Sequence, residues 1–168
     1  MPFVQPLPRD EQQILLQALL HRIQGKHDAA LTDYQQALDL NPGSLLAYVS
    51  RGTTYAEQEN YGQALADYNS AIRIDRNFAS AYLGRGIIYA KQGRYREAQR
   101  ENDRAIHLGL KTDTAFINRG NILSKLGKRR KALKAFKAAL HLNPNATEVY
   151  IGKGQLLNEL GRYTRVLN

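Results

Sequence analysis

Bulky and small residues recur along the chain at spacings of four and then three, which places them on one face of an α-helix. Tyr48, Gly52 and Tyr55 form one such set, which returns as Tyr82, Gly86, Tyr89, as Phe116, Gly120, Leu123, and as Tyr150, Gly154, Leu157. A second set lies between them: Ala30, Tyr34, Ala37, then Ala64, Tyr68, Ala71, and later Ala132, Phe136, Ala139. Both sets keep an interval of 34 residues, so the chain is a tandem array. One helix of each repeat offers large, small, large, and its partner offers small, large, small. Each aromatic can then settle over the Gly or Ala of the other helix. Glycine inside a helix costs roughly 0.5–1 kcal/mol relative to alanine, a cost that close helix approach offsets.

The punctuation fits the same frame. Gly25, Gly93, Gly127 and Gly161 stand between the paired helices, where a helix C-terminus takes φ > 0. Asn41-Pro42 and Asn143-Pro144 end the second helix, because proline drives its predecessor out of the α region. Asp75-Arg76-Asn77 and His107-Leu108-Gly109 take that place in the middle repeats. The pattern predicts helices over 11–24, 28–41, 45–58, 62–75, 79–92, 96–108, 113–126, 130–142 and 147–160. Residues 1–10 carry Pro2, Pro6 and Pro8, lack the basic start and apolar stretch of a signal peptide, and read as a short extended tail.

These residues resemble the tetratricopeptide repeat (TPR), whose pattern is a bulky residue, Gly, a bulky residue, then Ala, an aromatic, Ala and Pro. The resemblance covers 11–168, with copies beginning at 11, 45, 79, 113 and 147 and the last cut short. Repeat 1 is loose in its first helix, with Ile14, Ala18 and His21, and repeat 3 has Asn102 where an aromatic is expected. The resemblance implies an all-α, right-handed superhelical solenoid of about four and a half repeats. It also implies a groove lined by the first helices, chiefly through positions 2, 5, 9, 12 and 13 of each repeat. Carried onto this chain, the groove residues are Leu15, Leu19, Val49, Thr53, Leu83, Ile87, Ile117 and Ile151, with Asn118, Asn121, Ser124 and Lys125 clustered in repeat 4. Such a surface suits a peptide or helix of a protein partner, and an alternative is that some of these apolar residues pack between neighbouring first helices. Relatives that grip a chaperone's C-terminal carboxylate use a set of Lys, Asn and Arg. Of that set only Asn118 is present here, beside Leu83, Ile87, Glu148 and Gly152, so chaperone tails are not expected partners.

Charge adds two features. Residues 1–78 hold six Lys/Arg against nine Asp/Glu, a balance of −3, while residues 79–168 hold eighteen against six, a balance of +12. Lys128, Arg129, Arg130, Lys131, Lys134 and Lys137 form a basic run, most of it on the second helix of repeat 4. They read as a solvated face, or as a site for an acidic protein, a nucleic acid or an anionic membrane surface. No aromatics interleave them to stack bases. Arg51, Arg85 and Arg119 hold the seventh position of successive repeats, and Asp33, Asp67 and Glu101 hold the twenty-third position of the repeats before them. That register predicts a stack of salt bridges between repeats.

The end of the array suggests a further contact. Tyr150, Leu157 and Leu160 have little second helix to cover them beyond Tyr163, Val166 and Leu167, which predicts self-association there, or a truncated array. Catalysis finds no support in the sequence. His21, His27, His107 and His141 have no ligand partner at helical spacing, no phosphate loop follows a strand, and the chain has no cysteine. The expected protein is therefore a non-enzymatic scaffold without cofactor or metal, placed in the cytoplasm. No run of apolar residues is long enough to span a bilayer.

Overall fold

The computed structural model describes the backbone of residues 9–166 and the side chains of residues 10–158. Its described residues form nine α-helices and no strand: α1 Arg9–Ile23, α2 His27–Leu40, α3 Leu45–Glu57, α4 Tyr61–Ile74, α5 Ala79–Lys91, α6 Tyr95–His107, α7 Asp113–Lys125, α8 Arg129–Leu142 and α9 Thr147–Val166. The fold is an all-α helical repeat. It divides within α5 into two compact units, Met1–Gly84 and Arg85–Asn168.

In the first unit α1 packs on α2, α2 on α3, and α3 on α4. Ala18, Ala30 and Tyr34 make one buried cluster, and Ala37, Leu38 and Ala47 another. In the second unit α6 packs on α7, α7 on α8, and α9 on both α7 and α8. Its core gathers Leu123, Ala132, Phe136, Ala139, Val149 and Leu156. Ring-over-glycine packing accounts for the register. A methyl group added to Gly84 would fall 2.5 Å from the Tyr68 ring, and one on Gly120 would fall 2.5 Å from Cδ1 of Phe136. Such distances leave no room for any side chain but hydrogen.

The turns inside the helix pairs are of one kind. Gly25, Gly93 and Gly127 take φ of 73°, 75° and 70°. The amide following each donates back into the helix, as Lys26 N does to His21 O at 2.9 Å, and the glycine's own amide closes the shorter ring. Repeat 2 has Glu59 in that place, the one described non-glycine residue with positive φ, at 59°. Gly161 departs from expectation. It lies inside α9, which runs on to Val166. Glycine permits a left-handed turn but does not impose one.

Between repeats the Asn-Pro stops do two jobs. The Asn41 Oδ1 accepts from Gly43 N at 3.0 Å, and its Nδ2 donates to Glu11 Oε2 at 2.8 Å. Asn143 repeats this arrangement, its Nδ2 donating to Asp113 Oδ2 at 2.8 Å. Both acids stand 30 residues before their asparagine, at the first position of repeats 1 and 4.

The arginine register needs correction. Arg51 pairs with the acid of its own repeat: its Nε donates to Asp67 Oδ2 at 2.9 Å and its Nη2 to Oδ1 at 2.7 Å. Arg85 does the same with Glu101, Nε and Nη2 reaching Oε2 at 2.9 and 2.6 Å. Asp33 is taken by His21 Nδ1 at 2.6 Å. Repeat 4 has Ala135 in place of the acid, and Arg119 turns to Asp103 at 2.9 Å. The forks on Asp67 and Glu101 therefore tie together the two helices of one hairpin.

Candidate functional site

Helical spacing assembles one cleft in the second unit. Ile87, Ala90 and Lys91 share a face of α5, and Asn118, Asn121, Ile122 and Lys125 share a face of α7. With Tyr95 of α6 they line a space of about 310 Å³. Ile122 is buried, Ile87 and Ala90 are half-buried, and Asn121, Lys91 and Lys125 are exposed at the rim. The Nδ2 of Asn118 is buried and donates to nothing. The cleft can therefore accept an apolar group while amides and ammoniums face its polar neighbours.

Four of the residues expected to bind a ligand meet here: Ile87, Asn118, Asn121 and Lys125. The others lie elsewhere. Leu15 packs against both buried clusters of the first unit, and Leu19 is 38% exposed. Val49 and Leu83 are half-buried. The Thr53 hydroxyl donates to Val49 O at 2.9 Å and lies 3.2 Å from the Tyr68 hydroxyl, so it helps to seat a core ring. Ile117 is only 7% exposed and belongs to the core of the second unit, Ser124 is half-buried, and Ile151 is 57% exposed. Ala90, Lys91, Tyr95 and Ile122 were not singled out from the sequence. Ala90 and Lys91 hold positions 12 and 13, so the register could have found them; Tyr95 and Ile122 carry no such signal.

The basic run on α8 is laid out as its spacing suggests. Arg130, Lys134 and Lys137 are exposed at helical intervals, and Lys128, Arg129, Arg130 and Lys131 line a shallow depression at the start of the helix. Lys128 Nζ donates to Gln99 Oε1 at 2.8 Å. Of the residues expected to mediate self-association, Tyr150 and Leu157 are 56% and 53% exposed. Leu160, Tyr163, Val166 and Leu167 lie outside the described side chains. Among the described residues no three His, Asp or Glu gather as a metal site would need, and no helix is long and apolar enough to cross a membrane.

Residues 18–59 and 52–93 match the family described as TPR repeat, and residues 114–146 match the one described as tetratricopeptide repeat. No curated protein sequence matches the chain significantly. Among solved structures, YrrB, a TPR protein with an unusual peptide-binding site, is 28% identical. The match covers 80% of this chain and 69% of YrrB with a TM-score of 0.69. Pseudomonas aeruginosa pilF is 22% identical over 92% of this chain and 71% of its own, with a TM-score of 0.82. MamA is 22% identical over 86% and 84%, with a TM-score of 0.72. At that identity the last two bear on the fold alone.

Proposed function

The chain belongs to the tetratricopeptide repeat family, whose fold serves generally as a protein–protein interaction scaffold, and on that premise we propose that it is a non-enzymatic adaptor holding an extended peptide of a partner against its first helices. The observation that carries this reading is the α5/α7 cleft. It joins the apolar Ile87 and Ile122 to Asn118 and Asn121 in one concave space. An amide side chain offers both a donor and an acceptor, as a peptide unit does, so asparagines at the cleft can fix the register of a backbone while the apolar walls take a side chain. The peptide-binding site of YrrB lends support by similarity.

Selection from a displayed random-peptide library tests the reading. Wild-type protein should enrich a set of peptides, and Ile87→Glu/Asn121→Arg should lose at least about tenfold in affinity for them, the scale of one or two interface anchors. Ile117 is a poor site for such a test, because a charge at a 7% exposed core position would unfold the unit. Enriched peptides that bind the cleft variant as tightly as wild type would defeat the proposal, as would a failure to enrich any.

A further inference from the structure

The chemistry of the cleft narrows the ligand. Resting on the peptide reading above, we infer that the α5/α7 cleft selects peptides in which an acidic side chain lies next to an apolar one. The lining contains Lys91 and Lys125 and no carboxylate. Both lysines are exposed, and among the described residues neither makes an ion pair or a hydrogen bond. Several arginines of the molecule are placed differently. Arg51, Arg85, Arg94 and Arg119 each have a carboxylate at 2.6–2.9 Å.

The two lysines hold the same position, the last residue of α5 and of α7, and so flank one space from its two sides. An ammonium only donates, and the Nδ2 of Asn118 is a third donor without an acceptor. Two ammoniums at the rim of an apolar floor of Ile87, Ala90 and Ile122 suit a group that accepts, carried beside an apolar side chain. The carboxylate of Asp or Glu in a peptide meets both conditions. Long-range charge works in the same direction, since residues 85–168 hold eighteen Lys/Arg against six Asp/Glu. A terminal carboxylate is not required, because the lysines stand at the helix ends and an internal side chain reaches them.

Two capped, fluorescent hexapeptides test this by anisotropy titration: one alternates leucine and glutamate between terminal glycines, and the other has glutamine in place of each glutamate. At low salt the acidic peptide should bind at least about fivefold tighter, and the gap should close by half a molar salt, where screening reaches across about 4 Å. Lys91→Gln/Lys125→Gln should abolish the gap, and Lys91→Arg/Lys125→Arg should keep it. Equal binding of both peptides by wild type overturns the acidic preference while leaving the peptide reading intact. A gap that survives the glutamine substitutions overturns the assignment to this cleft. If neither hexapeptide binds while library peptides do, the selectivity inferred here is wrong and the reading stands; if the library also yields nothing, both fall.

Discussion

Glu59 takes the place that glycine holds at the corresponding turns of repeats 1, 3 and 4, and replacing it with glycine should stabilise the protein. Its φ of 59° is left-handed. Its backbone makes the same closing bonds as the glycines: Glu59 N donates to Ala56 O at 3.2 Å and Asn60 N to Tyr55 O at 2.8 Å. The turn is thus fully formed, and the side chain bears the conformational cost, about 1–2 kcal/mol for an L-residue. Glycine removes that cost but gives back roughly 0.5–1 kcal/mol through the freedom of its unfolded chain. The net gain for Glu59→Gly is therefore about 0.5–1 kcal/mol. Glu59 is exposed, and among the described residues its carboxylate makes no ion pair, so little else is lost. For a chain of this size the gain raises Tm by about 1–4 °C. Thermal melts followed by circular dichroism, with urea midpoints at unchanged slope, measure it. Glu59→Ala serves as the control, since it removes the charge but keeps the Cβ. A glycine variant no more stable than the alanine variant would refute the argument from backbone strain.

The other predictions concern packing and acid response. Gly120→Ala should destabilise by about 1–3 kcal/mol, because its methyl would press on the fully buried Phe136 ring, while Gly154→Ala should gain up to about 1 kcal/mol in helix propensity, having nothing within 4 Å. Denaturation midpoints that move together for both variants would count against the ring-over-glycine account. The Asn143 amide and then the Thr114 backbone amide hold the Asp113 carboxyl below its ordinary value. The folded value being the lower, this contribution to stability is complete above about pH 3.9 and is lost as pH falls through the folded value. Asn143→Ala should therefore raise the Asp113 titration seen by carboxyl-carbon NMR, and an unmoved titration would show that the amide does not hold it.

The repeat, the helices and most of the turns were legible because each rests on local rules: helical spacing, left-handed glycine, proline after asparagine. Choice among neighbours was not legible. The spacing assigns Arg51 to Asp33 of the repeat before, whereas the hairpin presents Asp67 to it and His21 engages Asp33. Gly161 shows the same limit from the other side, since a residue that can stop a helix here continues one. The cleft was half legible. Ile87, Asn118, Asn121 and Lys125 are legible from the register, and so is Lys91, which holds the same register position as Lys125 but was not singled out.

Packing also bears on one polar residue of that cleft. Tyr68 meets a glycine in its own repeat, Gly52, and another in the following repeat, Gly84; Phe136 likewise meets Gly120 and Gly152. Repeat 3 has Asn102 in the ring's place, 1% exposed, its Nδ2 donating to Ala115 O at 3.2 Å. Gly86, its partner within the repeat, stays glycine because the helices still approach closely, an added methyl falling 3.2 Å from Glu101 Cβ. The following repeat has no ring to accommodate, and there the glycine position is filled by Asn118. A ring alone does not bind that position to glycine, since repeat 2 has Ser50 there after the buried Tyr34 of repeat 1. In repeat 4 it is the position from which an amide enters the lining of the cleft.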